Sequence, residues 1–202
     1  MPFKTDGSRE YRSYSGAFSV SEDEEYVVEG YATTFDAPYD FGIDGTKERI
    51  LRSALDGADM SDVIFQLNHD GQTMARLRNG SLVIELDEHG MRVRAYLGGS
   101  RSGRDLYEAI KSGLIDRMSW GFAVPTGGYE YDDATRTFTV TRVSKVFDVS
   151  AVSIPANEDT EIHARSYIDG AIDAGRQELA RRERARGALA LKAKAATVRQ
   201  KG

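Results

Sequence analysis

Apolar and polar positions alternate along much of this chain, and the alternation predicts a run of strands. Residues 26–35, YVVEGYATTF, are rich in β-branched and aromatic side chains and predict the first long strand. Residues 36–45, with Pro, Gly and Asp, predict a loop. In KERILRSALDGA, 47–58, Ile50, Leu51, Ala54, Leu55 and Ala58 fall at helical spacing with Gly57 near the end, which predicts a helix. DVIFQLNHD, 62–70, returns to period two, with Val63, Phe65, Leu67 and His69 on one face. Residues 81–97 predict a hairpin turning near Asp87–Gly90, and 127–143 a second hairpin. Residues 100–113 predict a helix with serines as N-caps, a Leu106/Ala109/Ile110 face and Gly113 as its stop. From Gly113 to Val124, Met118, Trp120, Phe122 and Val124 oppose Ser119, Gly121 and Ala123, a strand with one large face and one bare face. Residues 145–157 predict a last strand ending at Pro155.

Three regions follow. Residues 1–24 are polar and read as a loose lead-in with a short strand at Ala17–Val20. Residues 25–163 form the main domain. Residues 164–202 are Ala/Arg-rich and helix-prone, a basic tail. The expected fold is α+β: a strand-rich, closed or strongly curved antiparallel β-barrel ringed by a few helices, with a helical basic C-terminal tail.

Composition narrows the chemistry. With 202 residues, 40% of them apolar, the chain can bury a core of its own. It has no cysteine, which excludes disulfides, thiolate catalysis and cysteine-held zinc. Its three histidines, His69, His89 and His163, leave little for a histidine-rich metal site, and the expectation is no metal and no cofactor. No long apolar run predicts a membrane span, and the opening MPFKTDGSRE predicts no secretory leader, so a cytoplasmic protein is expected. The net charge of −5 hides a split: residues 164–202 carry ten Lys+Arg against four Asp+Glu. That tail suits a protein partner better than nucleic acid, because no aromatic residue beyond Tyr167 is available to stack on bases.

Three polar residues interrupt apolar strands. Ser119 heads the bare face of its strand; small residues there either admit a packed element or leave room beside the hydroxyl. His69 ends a strand with its ring expected inward, where the simplest role is a hydrogen bond to a backbone carbonyl. Asp148 lies in FDVSAVSI, where a buried carboxylate requires a cation or a histidine N–H. Together they are the residue types of a Ser/His/acid set, although RMSWG around Ser119 is not a nucleophile elbow. A metal-dependent hydrolase built on His69, Asp70 and His163 lacks the expected ligand spacing.

FQLNHD at 65–70, SGLIDRMSWGF at 112–122 and FDVSAVSIPANEDT at 147–160 resemble, in order, the tailed-phage prohead maturation proteases, the HK97-type capsid proteases with a herpesvirus assembly-protease-like fold. EGYATTFD at 29–36 and ERILRSAL at 48–55 resemble that family's opening. The resemblance implies a serine endopeptidase with Ser119 as nucleophile, His69 as general base and Asp148 as third residue, His163 being the rival for the third position. The oxyanion donors are left open: no motif names them, and backbone N–H groups near Pro155–Asn157 and an arginine-held water are the two candidates. The resemblance implies the major capsid protein or its scaffolding segment as substrate and partner, self-cleavage, possible homo-oligomers, and work inside the immature prohead in the host cytoplasm. The alternative is a non-catalytic capsid scaffold or assembly chaperone on the same fold.

Overall fold

The computed structural model describes residues 8–14, 18–43 and 45–153, together with Arg181 and Arg184. In chain order the strands are β1 (Glu10–Tyr14), β2 (Ser19–Val20), β3 (Val27–Thr34), β4 (Tyr39–Ile43), β5 (Thr46–Ile50), β6 (Ile64–Leu67), β7 (Asp70–Arg76), β8 (Leu82–Leu86), β9 (Gly90–Tyr96), β10 (Arg117–Ala123), β11 (Tyr129–Asp132), β12 (Thr137–Val140) and β13 (Lys145–Val152). One α-helix, α1 (Arg101–Lys111), lies between β9 and β10. Short 3-10 turns occupy Arg52–Leu55 and Leu77–Asn79.

The strands form three open sheets, ordered β1-β10-β13-β6-β7, β11-β12-β5-β4 and β2-β3-β9-β8. This corrects the expected barrel ringed by helices. Among the described residues no sheet closes on itself, two pairings (β5 with β12, β6 with β13) are parallel, and α1 is the one α-helix of those up to Ser153. Part of the error lies at 47–58, which forms β5 and a 3-10 turn in place of a helix. Thr46, Glu48 and Ile50 are buried, whereas Lys47 is exposed, so the working period there is two. Glu48 disguised it: a charged residue reads as an outward position unless its distant cation is known.

Elsewhere local chemistry agrees with local structure. The Ser100 hydroxyl accepts from the Gly103 N–H at 3.0 Å and caps α1, whose Leu106, Tyr107 and Ile110 are buried. Gly113 ends that segment at φ +74°. The β8–β9 hairpin turns where Asp87 Oδ1 accepts from the N–H groups of His89 and Gly90, both at 2.8 Å. The polar lead-in contains β1 and β2, and the loop expected at 36–45 contains β4.

Both faces of β10 and β13 are buried, and Phe65, Trp120, Phe122 and Val149 are all at 0% exposure in one continuous core. Burying each such side chain stabilises the fold by about 1.5–3 kcal/mol. This rigid centre holds the polar residues considered next.

Candidate active site

Ser119 and Asp148 belong to adjacent strands of the five-stranded sheet. The antiparallel register sets Ser119 opposite Ser150 and Gly121 opposite Asp148, so all four share one face. On the far side of β13 runs β6, parallel to it, with Leu67 beside Ala151. Leu67 then pairs with Asp70 across a two-residue turn made of Asn68 and His69. Both turn residues have positive φ, 52° and 58°, the backbone that a primed hairpin turn demands and that glycine usually supplies. The sequence pattern carries the strand on to His69; the chain turns at Asn68 instead. His69 therefore leaves the inward row of Phe65 and lies beside β13 and β10.

The strained turn is anchored from both sides. Asn68 donates its N–H to the Ala151 carbonyl at 2.9 Å. Its Oδ1 accepts from the Ser153 N–H at 3.0 Å and the Ser153 hydroxyl at 3.2 Å. Left-handed backbone at a non-glycine residue costs about 1–2 kcal/mol, and such strain persists where surrounding bonds impose it.

The turn places the His69 ring between the two strand residues. Nδ1 is hydrogen-bonded to Asp148 Oδ2, and Nε2 lies 2.7 Å from Ser119 Oγ. Ser119 and Asp148 are fully buried, while the His69 side chain is 11% exposed. Asp148 Oδ2 also accepts from the Ser150 hydroxyl at 3.0 Å. Its Oδ1 has no hydrogen bond among the described residues; the Arg9 guanidinium approaches it at 3.6 Å. Gly121 explains the bare face of β10: a Cβ there would lie 2.3 Å from Asp148 Oδ1.

These contacts assign the proton. An ionised carboxylate only accepts, so the Nδ1 facing Asp148 carries hydrogen and Nε2 presents a lone pair to Ser119. The arrangement can withdraw the serine proton and hold the resulting imidazolium beside a carboxylate. The Ser119 hydroxyl has a competing acceptor, the Arg12 carbonyl, to which it donates at 2.9 Å.

Of the other sequence candidates, His89 sits exposed at its hairpin tip, edge-on to Tyr31. His163, Pro155–Asn157 and the tail, Arg181 and Arg184 apart, lie outside the described residues. Among the described residues, no three His, Asp or Glu side chains converge to hold a metal ion. Sequence reasoning missed Ser150, although its place on Asp148's face was visible, and missed β1 entirely. Tyr11 of that strand covers His69, ring centroids 4.1 Å apart.

The residues around this site carry a family signature. A family profile described as Caudovirus prohead serine protease matches residues 14–171. The prohead protease of Enterobacteria phage HK97 is 30% identical over 148 residues, 71% of this chain and 62% of that relative. The match thus spans a little under two thirds of the relative's length. No solved structure matches the chain. Ser119, His69 and Asp148 fall within the matched residues; Arg9, Tyr11 and Arg12 precede them.

Proposed function

The chain belongs to the caudovirus prohead serine protease family, and from that premise we propose that it is a serine endopeptidase of prohead maturation, with Ser119 as nucleophile, His69 as general base and Asp148 as the orienting carboxylate. The observation that carries this reading is the 2.7 Å approach of His69 Nε2 to Ser119 Oγ, with Asp148 behind Nδ1. In the reaction, Nε2 takes the Oγ proton as Oγ attacks a peptide carbonyl carbon. The imidazolium, held by Asp148, then protonates the departing amine. Water, deprotonated by the same Nε2, attacks the acyl-enzyme and releases Ser119.

The substrates are the capsid protein or its scaffolding segment, and the chain itself. The relative's printed name, prohead protease, supports that class. The basic tail, ten cationic side chains against four acidic, suits docking on an acidic scaffold. A second reading, a non-catalytic scaffold on a protease-like fold, draws on one observation: Ser119 has no exposed surface.

Incubation of the wild-type chain and of Ser119→Ala with a capsid protein bearing its scaffolding segment, read by mass spectrometry, separates the two. Wild-type cleavage, lowered by about 10⁶-fold in Ser119→Ala, is the expected result. Equal cleavage by both proteins eliminates Ser119 as nucleophile.

A further inference from the structure

Ser119 is buried because another part of the chain lies on it. Strand β1 runs antiparallel along β10, from Glu10 opposite Phe122 to Tyr14 opposite Met118. It meets all three site residues: Arg9, just before it, approaches Asp148, Tyr11 lies on His69, and the Arg12 carbonyl accepts from Ser119 Oγ. We propose that β1 stands in the substrate's groove, that the substrate is an extended segment replacing it along β10, and that Glu48 selects an arginine or lysine at the position now held by Arg12. This rests on the serine peptidase reading above.

The first support is the chemistry of the occupied position. A peptidase needs a backbone carbonyl within about 3–3.5 Å of its nucleophile. The group there is a backbone carbonyl in an extended strand, and the hydroxyl meets its oxygen as a donor, a resting contact. Ser119 must exchange this carbonyl for a substrate's.

The second is topology. Among the described residues β1 is an edge strand and pairs only with β10 in its sheet. Edge pairing runs through backbone groups, so another extended segment can take the same place with the same hydrogen bonds. The family match begins at residue 14, so nearly all of β1 lies ahead of the matched region while the site it covers lies inside.

The third is the far side of β1, where Arg12 points away from Ser119. Its Nε donates to both oxygens of Glu48, at 3.0 and 2.8 Å, and its Nη2 donates to Glu10 at 2.9 Å. Glu48 has no exposed surface and also accepts from the Tyr39 hydroxyl. Tyr129 borders the same cage, 3.4 Å from Nη2. When β1 leaves, Arg12 and Glu10 leave with it, and Glu48 keeps the Tyr39 hydroxyl but loses its cation. A buried carboxylate stripped of its cation is strongly destabilising, so an incoming strand that restores a guanidinium or ammonium is favoured. Arg12 is the residue whose carbonyl faces Oγ, so that cation belongs to the residue preceding the cleaved bond.

The test uses the full wild-type chain and two extended peptidyl diphenyl phosphonates, alike except for a guanidinium or a methyl side chain on the residue bearing phosphorus. The Ser119 Oγ–P bond forms, a P–OPh bond breaks, and the Oγ proton passes through His69 to the departing phenolate. Mass spectrometry reads modification of Ser119, with Ser119→Ala as blank, and hydrogen exchange reads residues 10–14. We expect the guanidinium probe to react at least ten-fold faster, and modification to strip exchange protection from residues 10–14. Modified Ser119 with β1 still protected would overturn the groove, and equal rates for the two probes would overturn selection by Glu48. If a small fluorophosphonate labels Ser119 and neither peptidyl probe does, the groove again fails while the peptidase reading survives. Failure of all three reagents removes the peptidase reading and this inference with it.

Discussion

Asp148 shows how much one side chain of the site depends on its neighbours. It is a carboxylate at 0% exposure with His69 and Ser150 on one oxygen and the Arg9 guanidinium 3.6 Å from the other. Its position is set by what is missing opposite it, the side chain of Gly121. Replacing Gly121 with alanine would set a methyl 2.3 Å from Oδ1 and 3.1 Å from the Tyr11 ring, so the carboxylate must move. Gly121→Ala is expected to fold with about 1–3 kcal/mol less stability and to lose about 10²-fold in kcat/KM on a peptide substrate. Urea unfolding and steady-state kinetics on the same preparation check both; unchanged kinetics would mean that Asp148 does not need its present position.

Among the elements, the β6–β7 turn governs His69. Its two positive-φ residues are neither glycine, and Asn68 makes the geometry tolerable by bonding to Ala151 and Ser153. Asn68→Ala removes the side-chain bonds and leaves a residue averse to left-handed backbone; a loss of about 1–2 kcal/mol is expected. Asn68→Gly keeps the backbone freedom and loses only the bonds, so it should fall between wild type and alanine. Chemical denaturation gives the order, and the labelling rate of Ser119 by a fluorophosphonate should follow it. Equal losses in the two variants would mean that the side-chain bonds, rather than the turn's backbone, hold His69.

Across the whole molecule, acid sensitivity follows from surface carboxylates. The Lys145 ammonium holds Asp59 below the ordinary aspartate range, the Arg76 guanidinium does so for Asp62, the Tyr31 hydroxyl for Asp87 and the Thr135 hydroxyl for Asp132. Each binds its proton more weakly folded than unfolded. Their contribution to stability is therefore complete above the unfolded aspartate pKa of about 3.9 and is lost as pH falls through the lower folded values. The melting temperature should be nearly flat from pH 7 to about 5 and decline below about 4. Added salt should shrink the share that comes from Asp59 and Asp62, whose partners are exposed cations. A Tm that rises on acidification would refute the assignment.

What the sequence determined by itself was local. Period-two runs, Asp87 in its turn and Ser100 at its cap all act within a few residues, and the hairpins and α1 form where those signals lie. Ser119, His69 and Asp148 were legible for the same reason: each is a polar interruption of an apolar run. The tertiary structure decided what depends on partners far along the chain. Glu48 is buried because Arg12, 36 residues earlier, reaches it, and without that partner its segment reads as a helix. The parallel pairings of β5 with β12 and β6 with β13 leave no periodic trace, because hydrogen bonds between distant strands run through backbone common to every residue. For the same reason a polar lead-in gave no sign that its strand lies across Ser119; only the register of β1 on β10 sets the Arg12 carbonyl against that hydroxyl.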